Sequence, residues 1–216
     1  MKKKILIFTA GSAGRELFKL IQEINMKKNQ WEVIGYVDID LKKRGKFIDK
    51  KKVYHKINKP YKENIYAICG IMDPATRKKI YNQEILKNNY KIPNLIHPSI
   101  IVPGSIKLGI GNIIFGNVHI SYDVKIKNYC LISNFCDIGH NLSLGDHTTI
   151  MPSVSLGGNC IIKKETLIRS GALIHPNIKI GSNCKIGMGS LVIKDVKNNS
   201  SVVNYPRQII SNIKKN

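Results

Sequence analysis

From Ile96 to Val192 every sixth residue of this chain is aliphatic: Ile96, Val102, Leu108, Ile114, Ile120, Ile126, Ile132, Ile138, Leu144, Ile150, Leu156, Ile162, Ile168, Ile174, Ile180, Ile186 and Val192. A period of six belongs neither to an α-helix, which repeats at 3.6, nor to an uninterrupted strand, which alternates at two. Self-similarity at a short fixed period marks a stacked architecture, because one unit cannot bury its apolar face alone. Four residues after each aliphatic stands a second, mostly small or medium side chain, such as Val118, Val124, Cys130, Cys136, Leu142 and Thr148. It lies two residues before the next aliphatic, so both point to the same side of a short strand. The unit is a strand with two inward residues and a corner. Three units close a triangular coil, and stacked coils share one aliphatic core. At roughly 4.8 Å per coil, the array makes a prism of about 25–28 Å.

The same frame accounts for the cysteines. Cys130, Cys136, Cys160 and Cys184 all occupy the inward small position, and Cys69 lies in an apolar run. They read as core residues rather than metal ligands or a disulfide framework. The chain carries 35 Lys and Arg against 14 Asp and Glu, a net charge of +21. The basic residues are scattered apart from the run Lys42 to Lys52, and no nucleic-acid-binding signature accompanies them. An anionic small-molecule partner and solvated lysine-rich faces both fit; nucleic acid does not. No apolar stretch is long enough to span a membrane or serve as a secretory core, and a reduced cytoplasmic setting is expected.

Residues 1–95 follow another grammar. Lys4 to Phe8 reads as a buried strand, and Thr9 to Leu17 as a Gly-rich turn opening a helix to about Lys27. Val33 to Asp38 and Ile65 to Gly70 read as further strands, followed by a helix from about Pro74 to Asn88. Alternating β and α segments imply a small parallel-sheet domain. Thr9 replaces the first glycine of a dinucleotide fingerprint, and the segment is short for a full dinucleotide fold, which argues against NAD.

The pairs Leu108-Gly109, Ile138-Gly139, Leu144-Gly145, Leu156-Gly157, Ile180-Gly181 and Ile186-Gly187 resemble the pattern of the hexapeptide-repeat acyltransferases. That resemblance implies a left-handed parallel β-helix, a homotrimer, and acyl transfer from coenzyme A or acyl carrier protein. The order ILIFTAGSAGREL, VIGYVDID, GIMDPATRKKI and LIHPS is similar to PglD/NeuD-type sugar acetyltransferases. The expected organisation is a Rossmann-like α/β domain over residues 1–95, an all-β helix over 96–204 and a tail over 205–216. The resemblance implies that Gly11, Ser12, Ala13 and Gly14 cradle the acceptor's phosphate while Asp38 and Asp40 contact its nucleoside.

Acetyl transfer from a thioester needs a base and an oxyanion donor. Of six histidines, His140 lies in a corner within DIGHNLSLGD, which resembles the family segment around its base. His147 and His119 are expected to face outward, His97 and His175 to sit at corners, and His55 to lie in a solvated loop. One coil beyond His140 stands Gly158, whose backbone N–H would serve as the oxyanion donor. Asn141 takes the place of the family's Asp beside the base, with Asp137 and Asp146 as alternative supports. The resemblance places acetyl-CoA against Gly158, Thr149, Gly187, Gly189 and Arg207, with no metal. The expected activity is acetylation of a nucleotide-linked amino sugar for surface glycans. Rival readings are O-acetylation of a free sugar such as sialic acid, a γ-carbonic-anhydrase-like zinc hydratase, and an inactive trimeric scaffold.

Overall fold

The computed structural model describes residues 2–55 and 64–203. A small α/β unit comes first: strand β1 (Lys3–Phe8), helix α1 (Ser12–Lys27), β2 (Trp31–Val37), β3 (Phe47–Ile48), β4 (Lys51–Tyr54), β5 (Tyr66–Cys69) and helix α2 (Pro74–Ile80). The sheet order is β3-β4-β2-β1-β5, parallel except for the β3–β4 pair. The β3–β4 hairpin falls in the lysine-rich stretch, where polarity hides its alternation. Past α2 the chain does not remain α-helical to Asn88 as expected, because residues Tyr81–Leu86 widen into a π-helical turn.

The rest is a three-sided parallel solenoid of two-residue strands. Each pairs with the strand 18 residues on, as in Lys125 with Ser143, Leu131 with Thr149 and Asp137 with Ser155. The first face begins at Leu95–Ile96 and carries Ile113–Ile114, Leu131–Ile132, Thr149–Ile150, Leu167–Ile168, Lys185–Ile186 and Ser201–Val202. The second face runs from His119–Ile120 to Leu191–Val192, and the third from Lys107–Leu108 to Lys179–Ile180. From Ile114 to Val192 the aliphatic positions fill one core, together with Cys130, Cys136, Cys160 and Cys184. All five cysteines are free and buried, and burial pushes the Cys130 thiol up to about 12.

Two irregularities bound the solenoid. Val102 keeps the period but forms no strand and is 42% exposed. At the far end the coil shortens from 18 residues to 16: Ile186 pairs with Val202, and Val196 bridges to Ile180. Val196 therefore sits in the aliphatic column rather than the small-residue column that the period assigns to it.

The front unit packs against the first face, whose outward residues Leu95, Ile113 and Leu131 join one buried cluster with Leu17, Leu20 and Ile21 of α1. Each corner of the regular coils holds one residue in the left-handed region, including Asn117, Asp123, Asn141, Asn159 and Gly171. Asn, Asp and Gly tolerate that conformation best, so the corners carry their own six-residue pattern.

Candidate active site

His140 stands on the edge between the second and third faces, two residues past the Asp137–Ile138 strand. Its half-buried ring stacks on Tyr122, one coil below, with centroids 5.4 Å apart and planes within 10°. One coil above lies Gly158. A Cβ at that position would stand 2.5 Å from Nε2 of His140 and 2.7 Å from Cε1, so only glycine admits the ring there. Asn159 N–H donates to the His140 carbonyl at 2.8 Å and locks the two corners in register. The Gly158 N–H makes no hydrogen bond among the described residues. An imidazole and an uncommitted amide therefore share one edge, which is the arrangement general-base acyl transfer requires.

The supporting residues are less uniform. Asn141 lies next to the ring, its Nδ2 3.4 Å from Nδ1 of His140, and its φ of 56° is the corner conformation. Asp137 turns instead to His119, whose Nδ1 lies 2.8 Å from its Oδ1. Asp146 accepts from the backbone N–H and Nδ2 of Asn128 on another edge. Among the described residues neither carboxylate makes a hydrogen bond or ion pair with His140.

Three expected donor contacts fall elsewhere. Thr149 is fully buried where the front unit meets the first face; its hydroxyl donates to the Met72 carbonyl and accepts from Arg77, both at 2.7 Å. It cannot touch a ligand in this arrangement. Gly187 and Gly189 lie on the edge between the first and second faces, not on that of His140. Arg207 lies outside the described residues.

His147 also departs from expectation. It points away from the solenoid core but is covered by the front unit, 6% exposed, with its ring stacked on Tyr129. Burial, reinforced by the Arg77 guanidinium, drops its pKa to about 4. His140 and His147 occupy different edges, and among the described residues no three His, Cys, Asp or Glu side chains converge. The two histidines that the zinc-hydratase reading would pair are therefore not brought together within one chain.

Arg77 is the residue sequence reasoning missed. It is fully buried, and its guanidinium donates to the carbonyls of Ile71, Met72, Tyr129, His147 and Thr148 and to the Thr149 hydroxyl. It binds the front unit to the solenoid edge that bears His147. An arginine within a helix that also carries Lys78 and Lys79 gives no sequence sign of this.

In the front unit, Gly11 caps α1 and Gly14 is buried, its missing Cβ replaced by close approach of the Thr9 backbone. Ser12 is exposed and Ala13 half-buried on the first turn of α1. Thr9 itself holds a φ of 120°, a glycine-like conformation. Asp38 braces this turn, accepting from Ala10 N–H at 2.8 Å, from Asp40 N–H at 2.9 Å and from Lys43 Nζ at 3.0 Å. Partial burial opposes its charged form, but those amides and Lys43 outweigh it and hold the carboxyl below the usual range. Asp40 caps the short turn that follows through Lys42 N–H. Beside Thr9 and Asp38 opens a cavity of about 380 Å³ at the carboxyl ends of β1 and β2, the place where open α/β sheets hold ligands. His55, expected in a solvated loop, lines it half-buried, and its Nδ1 is buried without a hydrogen-bond partner among the described residues.

A six-residue solenoid with a His–Gly pair on one edge has the build of hexapeptide-repeat transferases, and residues 159–194 match the bacterial transferase hexapeptide (six repeats) family. Residues 4–83 match the PglD N-terminal domain, and the two matches together span more than half of the 216 residues. The chain belongs to the PglD/NeuD type of hexapeptide-repeat acetyltransferases. A curated relative, GDP-perosamine N-acetyltransferase of Escherichia coli O157:H7, is 26% identical over 171 residues, covering 77% of this chain and 76% of its own. PerB of Caulobacter crescentus, solved with CoA and GDP-perosamine, superposes with a TM-score of 0.82 at 21% identity, covering 92% of each chain. The acetyltransferase domain of PglB from Neisseria gonorrhoeae FA1090, solved with acetyl coenzyme A, gives 0.79 at 20% identity, covering 93% of this chain and 96% of that one.

Proposed function

We propose that the chain transfers an acetyl group from acetyl-CoA to the amino group of a nucleotide-linked sugar, in the cytoplasm and in the service of surface glycan synthesis. The observation that carries this is the His140–Gly158 edge: a ring nitrogen and an uncommitted N–H within one coil of each other. His140 takes a proton from the acceptor amine as nitrogen attacks the thioester carbonyl. Gly158 N–H donates to the carbonyl oxygen as negative charge builds there. His140 then returns its proton to the departing thiolate, so the products are an amide and a free thiol. Asn141 orients the ring. The relatives support the reading, since the Escherichia coli protein is named for N-acetylation of a GDP-sugar and the Caulobacter one holds CoA with that sugar.

The working form we propose is a homotrimer. The front unit sits on the first face, whereas His140 stands on the edge opposite that face. An acceptor held by one copy's front unit would therefore meet the His140 of another copy. His140→Ala, assayed for thiol release with acetyl-CoA and GDP- or UDP-4-amino sugars, is expected to lose roughly 100-fold or more in turnover. Undiminished turnover removes His140 from the mechanism.

A further inference from the structure

The cavity beside Thr9 and Asp38 has a second wall that the phosphate turn does not explain. Thr76, Lys79, Ile80, Gln83 and Glu84 line it from the segment that begins as α2. Thr76, Lys79 and Ile80 share one stripe of α2, and the π-helical turn that follows carries Gln83 and Glu84 onto the same wall. Phe8, Val37, Ile71 and Ile80 supply apolar surface for a flat ring. The half-buried Glu84 uses its main-chain carbonyl to accept from Asn88, while its carboxylate makes no hydrogen bond or ion pair among the described residues. Lys79, likewise without an ion pair among the described residues, stands five residues before it on the same wall.

The bases carried by sugar nucleotides differ on the edge such a wall would meet. Guanine offers an acceptor, O6, followed by two adjacent donors, N1–H and the N2 amine. Uracil and thymine offer acceptor, donor, acceptor. A carboxylate takes both adjacent donors of guanine at once, but against a pyrimidine it would face a carbonyl oxygen, acceptor against acceptor.

We propose that this cavity takes the base of the acceptor nucleotide and that Glu84 selects guanine by accepting from N1–H and the N2 amine together. The inference rests on the acceptor reading above and narrows it to guanosine diphosphate sugars. Lys79 complements O6, and Glu84 is the specificity-determining residue rather than a catalytic one.

Calorimetric titration of the full-length protein with GDP, inosine diphosphate and UDP tests the assignment. GDP is expected to bind roughly 10- to 100-fold more tightly than UDP, the range for a bidentate base contact. Inosine diphosphate lacks only the N2 amine and should lose much of that advantage. In Glu84→Gln, GDP and inosine diphosphate should become nearly equal, with the thermal unfolding midpoint unchanged. Because the inosine comparison is made on the unaltered protein, it does not depend on how the variant folds. UDP binding as tightly as GDP, or a Gln variant that keeps the GDP preference, overturns the guanine assignment while leaving nucleotide binding by the front unit intact. Failure of all three to bind overturns the guanine assignment and the acceptor reading together.

Discussion

The contact between His140 and Gly158 can be perturbed by a single methyl group. In Gly158→Ala the new Cβ would lie 2.5 Å from Nε2, 2.7 Å from Cε1 and 2.9 Å from Cδ2 of His140. Ordinary carbon contacts are near 3.5 Å, so the ring must move by about 1 Å. It cannot simply retreat, because its other face rests on Tyr122 with the planes 10° apart. It must slide along the edge and out of line with the attacking atom. A misplacement of about 1 Å costs on the order of 100-fold in rate. The alanine keeps its N–H, so the oxyanion donor survives and the loss measures base position alone. Thiol-release kinetics at saturating substrates should show that fall in kcat with an unchanged unfolding midpoint. Gly139→Ala is the contrasting variant: its Cβ would press on the Gly158 nitrogen and the Leu156 carbonyl, backbone that cannot yield, and it should lower the midpoint. In His140→Ala the Gly158 change should cost little further, since no ring remains to displace. Wild-type turnover in a folded Gly158→Ala protein would refute the stacked-edge mechanism.

The other expectations concern the seam between front unit and solenoid. Arg77→Met leaves the carbonyls of Tyr129 and His147 without a donor and takes a second donor from that of Thr148, which keeps the Leu131 N–H, and urea unfolding should show a loss of about 3 kcal/mol; a loss below about 1 kcal/mol would mean that water replaces the guanidinium freely. His147 has its folded pKa depressed to about 4 from an ordinary value near 6.5, so its neutral form favours folding above pH 6.5. That stabilisation, up to about 3 kcal/mol, should drain away as pH falls from 6.5 toward 4. His147→Phe should flatten the unfolding free energy across that window, and an unflattened profile assigns the acid sensitivity to another group.

The period of six was sufficient to place the core, because each inward position is fixed by packing against the coil above and below. The coil spacing likewise set Gly158 over His140 before any side chain was positioned. What the period could not reveal was the covering of one face. Outward positions on the first face read Leu95, Ile113, Leu131, Thr149 and Leu167, whereas those of the third read Lys107, Lys125, Ser143, Ile161 and Lys179. That contrast at every third unit was the signal for where the front unit docks. Without it, His147 looked exposed and Thr149 looked available. Arg77 was illegible for a different reason: its partners are main-chain carbonyls, which leave no trace in residue types. The shortened last coil was hidden because Val196 fits the aliphatic column and the small column equally well.

The division of the edges separates the histidine we propose for chemistry from one that is covered. Both occupy corner segments, where the core places no demand on the side chain, so either could have been recruited. His147 lies on an edge bordering the first face, and Arg77 draws the front unit over it through its own carbonyl. Burial there keeps the ring neutral and shields it from substrate. His140 lies on the edge that docking leaves open, with glycine above it and an aromatic ring below. Docking one unit on one face therefore distinguishes three otherwise equivalent edges and leaves His140 on the edge farthest from the unit we propose to hold the acceptor. Under the proposed homotrimer that geometry ties catalysis to assembly: a monomeric variant with both units folded should bind nucleotide yet transfer no acetyl group, and turnover by such a monomer would break the link.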